Sequence, residues 1–533
     1  MIAPVNSRTL LVGAIAASAL LLGLRAGSVP LLDPDESRLA RTSVEMLESG
    51  DLVVPRFGGE PRLVKPPLVH WIQTFVFSLA GPWPLAARLH AIAATLGSVL
   101  LVAWVARRRF GPEGGAWAAA IFITMPLVLV PGRVGTLDAL LALHVFAVVA
   151  LDLTEPGPAV YRPFCAGALL GLAFLIKGPV GVIVPLLVIL AGRTAAGREL
   201  VPKAATVLRA AAAWIAVVMP WGLAFVHRVG VDTAAGTLRE EAIDRYFAGT
   251  AHAEPLWYYA PVLAVGVLPW LAPLAVGCVR LLAMRGDPAA RTAQYAAAGL
   301  AAGVVFFSLG QGKLATYLLP LMPLAAIVVT WELGREIAAP ERRSLGATLL
   351  AATVAACAVL AGLAAALHLD GPERSAAWAA AAVLGSGAIV AGVFAARGRP
   401  RGAYAATAAA TTVFLLVAIW TLFPEFGRTR SAQPLVEAVP RLAEPRPLVT
   451  VEIDVPGLVF YLGRPPEILE MDDLEDRLAA YDDPLFVLAD VDLPALPPAA
   501  AGSLTEVGRH GKFRVFEKRA PGPDFLDGPR PPG

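Results

Sequence analysis

Charge is what this sequence has little of. Of its 533 residues only 16% are Asp, Glu, Lys or Arg, while 57% are hydrophobic. A soluble domain carries about 25% charge, so the chain is short of solubilising surface, which excludes a disordered protein and an ordinary cytosolic enzyme. Net charge is equally scarce: 44 basic residues against 42 acidic ones leave +2. That gives no field for a polyanion, and nucleic acid is not expected as a partner. The three cysteines, Cys165, Cys278 and Cys357, lie in apolar stretches without paired spacing, which excludes a disulfide scaffold and a cysteine metal site. His70, His90, His144 and His368 have no metal-ligand spacing. No Walker loop or dinucleotide glycine fingerprint occurs, so a soluble nucleotide donor is not expected.

What is present is a series of apolar runs of roughly 20 residues, the length that spans a bilayer. They fall near 9–29, 85–106, 115–130, 135–153, 163–176, 179–192, 206–226, 257–279, 292–309, 314–333, 345–367, 375–396 and 402–422. The expected fold class is a mainly α, polytopic membrane protein with about 13 transmembrane helices. The first run is read as a retained span, and the shorter 66–81 as a helix along the outer interface. Basic residues concentrate in alternate loops: Arg107–Arg109, Arg193/Arg198/Lys203, Arg280/Arg285/Arg291, Arg335/Arg342/Arg343 and Arg397/Arg399/Arg401. The positive-inside rule makes those loops cytoplasmic, with the N-terminus inside and the C-terminus outside. Residues 1–423 are thus expected to form a membrane core with external loops at about 33–84 and 227–256. Residues 424–533, richer in charge and proline, are expected to form a small extracytoplasmic α/β domain. Its strands are read from the alternating stretches Leu448–Ile453, Leu485–Leu488 and Phe513–Glu517.

The ionisable groups that remain collect on the outward side, where an intramembrane charge is a functional candidate by default. The first loop opens Asp33-Pro34-Asp35-Glu36-Ser37-Arg38, continues as an amphipathic helix closed by Gly50-Asp51, and ends at Lys65-Pro66-Pro67. Alone, Asp35, Glu36 and Arg38 read as a solvated helix start with acids complementing the dipole. Asp138, just inside a span, has too short a side chain to reach the interface, so a functional role leads. Lys177, before Gly178-Pro179, reads either as a snorkelling helix end or as a functional group. Lys313 and Tyr317 open another span; a functional role leads there, with interfacial anchoring as the lesser reading. Glu240, Glu241 and Arg245 lie in the second loop; His252 is read first as a loop histidine and otherwise as a ligand. Cations gathered outside the membrane suit a lipid-anchored phosphate, whose charge as a leaving group they would stabilise. A nearby carboxylate could position or deprotonate an acceptor.

The stretch Asp33–Pro67 resembles the first external loop of bacterial lipid-linked-sugar glycosyltransferases, in particular the aminoarabinose (lipid A) transferases and their protein-mannosyltransferase-like relatives. The likeness continues through Thr136-Leu137-Asp138, Lys177-Gly178, Ala251–Tyr259 and Gly312–Tyr317. It implies a GT-C fold and inverting transfer from a polyprenyl-phosphate-linked sugar donor. The acceptor would be a lipid A-like lipid, an envelope glycan or a protein at the outer face of the cytoplasmic (inner) membrane, among membrane lipids. By matched position Asp35, Glu36 and Asp138 would be catalytic. Arg38, Lys65, Arg245, Lys313 and Tyr317 would bind the donor phosphate, with Lys177 and His252 elsewhere in the cavity. Two positions depart from the pattern: Val64 stands where aminoarabinose transferases carry an acid, and Ala242 where they carry a histidine. Those side chains would help hold a divalent metal, the one cofactor left open. A flippase for lipid-linked sugars is the alternative of another class, although no internal repeat is visible.

Overall fold

The computed structural model describes residues 7–155, 160–200, 202–240, 254–284, 286–339, 345–368, 371–478, 480–481 and 483–518. The chain divides into two compact units: residues 1–29, 43–56 and 60–424 form one, and residues 30–42, 57–59 and 425–533 the other.

The apolar runs fold as helices because only a helix satisfies its own backbone in lipid. With two polar helices between them, the helices in chain order are α1 (Ser7–Gly23), the polar α2 (Asp35–Ser49), α3 (Leu68–Ala80), α4 (Pro84–Ile123), α5 (Pro126–Gly132), α6 (Asp138–Thr154), α7 (Arg162–Lys177), α8 (Val180–Ala195), α9 (Ala204–Val229) and the polar α10 (Val231–Arg239). They continue as α11 (Tyr259–Gly266), α12 (Leu271–Ala283), α13 (Arg291–Leu309), α14 (Met322–Ala338), α15 (Leu345–His368), α16 (Gly371–Ala396) and α17 (Pro400–Thr429). Among the described residues seven helices are long and apolar enough to cross a membrane. The expected thirteen runs are all helical, but several are shorter than a full span. The runs near 135–153, 163–176 and 179–192 become α6, α7 and α8, of 17, 16 and 16 residues. The run near 257–279 breaks into Leu256–Gly266 and Leu271–Ala283, inclined at 115° and counting as an eighth span if taken together. Pro269 lies in that break, where a proline cannot donate to a helix ladder. Expected run 85–106 and the first part of 115–130 join in α4, which is interrupted at Gly111, φ 80°, while the rest of 115–130 falls in α5.

Buried cations in this unit satisfy backbone that the helices cannot. Arg133 donates to the carbonyls of Leu21, Leu22 (3.0 Å) and Leu24 (2.7 Å), capping the end of α1. Several basic residues of the expected cytoplasmic loops are paired. Arg193 donates to Asp152 (2.8 Å), Arg280 to Glu332, and Arg401 to Glu113 (2.8 Å). Helix α7 is held at backbone distance on two sides. A Cβ on Gly167 would stand 2.0 Å from the Ala210 carbonyl oxygen of α9, and one on Gly181 of α8 would stand 2.3 Å from that of Ala173.

The second unit is built on a five-stranded sheet of β1 (Leu448–Val451), β2 (Glu467–Leu469), β3 (Leu485–Ala489), β4 (Leu504–His510) and β5 (Phe513–Lys518), in the order β2-β1-β3-β5-β4. β1 runs parallel to β2 (Val449 beside Glu467) and to β3 (Leu448 beside Leu485), while β5 is antiparallel to β3 and β4. Strand residues divide with period two between two cores. Leu448, Leu485, Val487 and Val515 pack with Leu435 and Leu458, and Val449, Val451, Phe486 and Leu488 pack with Leu474 and Ala500. Both faces are therefore covered, and β1 and β3 are buried throughout. That is the pattern of a central parallel strand rather than of a half-solvated one.

Candidate active site

Asp138 is the first residue of α6 and Lys177 the last of α7. Each charge complements the helix end it occupies, an acid at an N-terminus and a base at a C-terminus. Gly178 stops α7 with φ 64°, a conformation only glycine adopts cheaply, and its N–H donates to Phe174 at 2.7 Å. The chain turns there, and the Lys177 ammonium donates to Asp138 Oδ1 at 2.6 Å. The two side chains are 14% and 13% exposed, so water screens the pair little. The same ammonium lies 4.6 Å from the Tyr317 ring centroid, within cation–π range.

Tyr317 belongs to the short 3-10 segment Ala315–Leu321. That segment is moored next to its start: the Tyr259 hydroxyl donates to the Leu314 carbonyl at 3.1 Å, and the buried Lys313 ammonium donates to the Glu254 carbonyl at 2.7 Å. Phe307 of α13 packs against both tyrosines, at 6.2 Å from Tyr259 and 5.7 Å from Tyr317.

These elements enclose a cavity of about 240 Å³. Lys65, Asp138, Lys177, Thr316 and Tyr317 supply polar lining, and Leu141, Val145, Val180, Ile183, Val184, Phe306 and Phe307 supply an apolar wall. Four of the expected site residues, Lys65, Asp138, Lys177 and Tyr317, thus meet in one place although they come from four separate stretches of chain. Two cations face one carboxylate on this lining. Lys313 is not among the lining residues; its ammonium is engaged by a carbonyl. The apolar wall carried no sequence signal that separates it from other span residues.

The remaining expected residues of the first loop belong to the second unit. Asp35 is exposed in the first turn of α2. Glu36, 1% exposed, accepts the Leu32 N–H at 2.8 Å, reaching back over the helix start as a capping acid does. Arg38 forms an ion pair with Asp454 and lies 5.8 Å from the Phe57 ring. Arg245 and His252 lie outside the described residues. Among the described residues no group of three His, Cys, Asp or Glu side chains is placed to hold a metal ion.

The chain is similar to known proteins. The family model described as dolichyl-phosphate-mannose-protein mannosyltransferase matches residues 64–223, the stretch that holds Lys65, Asp138 and Lys177. ArnT from Cupriavidus metallidurans, in a crystal structure bound to undecaprenyl phosphate, superposes with a TM-score of 0.74 over 98% of this chain and 99% of that one, at 23% identity. The fold is therefore that of a GT-C-type membrane glycosyltransferase. The undecaprenyl phosphate-alpha-4-amino-4-deoxy-L-arabinose arabinosyl transferase of Shewanella sediminis is 31% identical over 392 residues, covering 69% of this chain and 68% of that protein. Its counterpart from Sodalis glossinidius is 36% identical over 327 residues, 58% of this chain and 56% of that protein. The chain belongs to this family of arabinosyl transferases. It spans little more than half the length of several of the curated relatives it matches. The relatives are transferases by name, and the flippase alternative finds no counterpart among them.

Proposed function

We propose that the protein is an inverting glycosyltransferase that moves a sugar from a polyprenyl phosphate to an acceptor at the outer face of the cytoplasmic membrane, with its N-terminus inside and its C-terminal domain outside. One observation carries this reading: Lys65, Lys177, Asp138 and Tyr317 line a single cavity whose other wall is apolar. An anionic headgroup on an isoprenoid tail is the ligand with that division of chemistry. The names of the relatives favour undecaprenyl phosphate as the carrier and 4-amino-4-deoxyarabinose as the sugar.

In the reaction an acceptor oxygen bonds to the anomeric carbon while the bond from that carbon to the phosphate oxygen breaks, and the electron pair leaves with the phosphate. Lys65 and Lys177 would stabilise the growing negative charge as point charges, and the Tyr317 hydroxyl as a donor. Asp138 holds Lys177 in place. Arg38, Lys313, Arg245 and His252 remain donor-side candidates by matched position, as Glu36 does beside Asp35. If the acceptor is an ionised phosphate, such as one on lipid A, no base is needed and Asp35 orients it. If the acceptor is a sugar or protein hydroxyl, Asp35 takes its proton.

The test is transfer in proteoliposomes from undecaprenyl-phosphate aminoarabinose, with lipid A, glycan and peptide acceptors compared by mass spectrometry. Lys65→Ala and Asp35→Asn should each lower kcat by about 10²-fold or more, the loss typical of a removed charge-stabilising group. A folded Lys65→Ala enzyme at full activity, or donor relocated across the bilayer without a new glycosidic product, overturns the proposal.

A further inference from the structure

We infer that the C-terminal domain is a clamp for the first external loop, and that Asp33 and Asp454 are positioning residues for Asp35. The inference rests on the glycosyltransferase reading for the role of Asp35, and on geometry for the rest.

In an open sheet with parallel strands, ligands bind outside the carboxyl ends of the strands, at the point where successive connections leave in opposite directions. Here β1 has β2 on one side and β3 on the other. The segment leaving β1, Glu452 to Val455, and the helix that follows, Pro456–Leu462, border that position. It is filled by the chain's own residues 31–38. Asp33 Oδ1 accepts the Gly457 N–H at 2.6 Å, and Oδ2 accepts the Ala432 N–H at 2.9 Å. The Asp33 N–H donates to the Arg430 carbonyl at 2.8 Å, and the Leu31 N–H to the Tyr461 hydroxyl at 2.9 Å. Arg38 closes the far end through its ion pair with Asp454. The carboxylate of Asp33 stands where a soluble protein of this architecture would receive an anionic ligand. The fit leaves no space, since a Cβ on Gly457 would lie 2.4 Å from Asp33 Oδ2.

What the clamp holds is the start of α2. Asp33 is two residues from Asp35, so at most about 7 Å of chain separates them. The intervening turn is locked by Glu36 on the Leu32 N–H (2.8 Å), by the Ser37 N–H on the Leu32 carbonyl (3.2 Å) and by the Arg38 N–H on the Pro34 carbonyl (3.1 Å). A carboxylate that must meet a reacting oxygen gains most from such fixing, because a misplacement of about 1 Å can cost 10²-fold in rate.

The experiment uses the full chain in lipid nanodiscs, with Asp33→Asn, Gly457→Ala and the milder Asp454→Asn beside Asp35→Asn as reference. Hydrogen exchange over residues 31–38 and steady-state transfer are measured together. Asp33→Asn should speed exchange over 31–38 by roughly tenfold while α6 and α7 stay as protected as in wild type. It should lower kcat by about 10- to 100-fold with the donor KM within about twofold of wild type. Asp454→Asn should do the same to a smaller extent, and Asp35→Asn should lower kcat without changing exchange. Faster exchange with kcat intact overturns the positioning role, as does exchange that stays at the wild-type level. Should Asp33→Asn and Gly457→Ala fail to fold, Asp454→Asn decides by the same two readouts. Wild-type protein without transfer activity overturns the glycosyltransferase reading and the positioning role with it. The exchange arm would still reveal the clamp, so the two failures are told apart.

Discussion

Asp138 in one unit and Asp33 in the other are both carboxylates held largely out of water, and the two are held by opposite means. In the membrane unit Asp138 faces an ammonium 2.6 Å away, and charge cancels charge. In the second unit Asp33 faces two backbone N–H groups, and the charge of Arg38 lowers its pKa. Burial outweighs these groups and pushes the Asp33 carboxyl up from the usual 3.8 to about 6. The ion pair is an electrostatic part whose value lies in the partner it steadies. The backbone-held carboxylate is a geometric part, and its charge is a liability the fold tolerates. The same residue type thus serves a site in two ways, and a substitution separates them.

The largest effect should come from breaking the ion pair. Lys177→Met strands Asp138 in a low-dielectric wall, at a cost of about 3–5 kcal/mol. Thermal unfolding in detergent should show it, and Asp138→Asn in the same chain should restore most of the stability without restoring transfer. Asp33→Ala comes next. Losing two N–H bonds to a carboxylate should destabilise the second unit by about 2–3 kcal/mol, read as faster exchange over residues 430–460.

The pH dependence sharpens the comparison further. Because the folded state raises the Asp33 pKa, the proton binds more tightly in the folded chain than in the unfolded one. Its contribution is present in full below about pH 4 and is lost as pH rises through about 6. Wild type should therefore lose up to about 3 kcal/mol relative to Asp33→Asn across that window. A slope of the opposite sign in paired pH melts would contradict the assignment. Smallest should be Tyr317→Leu, which removes a cation–π contact worth about 0.5–2 kcal/mol. Tyr317→Phe keeps the ring and should leave stability unchanged while lowering kcat, because only the hydroxyl is lost.

How much of this was legible depends on the range of the interaction. Helices followed from apolar runs, because backbone satisfaction in lipid is a local demand, and the halt of α2 at Gly50 was visible for the same reason. The charges worth watching were also visible, because Asp138 and Lys177 stand in stretches that are otherwise almost wholly apolar. Their pairing was not: Lys177 read equally well as a snorkelling side chain, and nothing in a span of 39 residues states that two helix ends meet. Asp33 and Asp454 were further out of reach, since the partners of Asp33 lie about 400 residues along the chain and spacing carries no signal over such a distance. The bend after Gly266 escaped for a different reason. Hydropathy averages over a window and passes across Pro269, whereas the helix cannot.

The tight seating of α7 has a consequence for how the protein can change. Lys177 sits ten residues, about 15 Å, from Gly167 along one rigid rod. With Gly167 against Ala210 and Gly181 against Ala173, that rod has no lateral play. Retuning the cavity for a larger headgroup by moving the ammonium would therefore require remote substitutions that shift the whole rail. Trimming the Phe306 and Phe307 wall leaves the rail alone, so evolutionary drift in substrate size is expected to register on the wall while the glycines stay frozen.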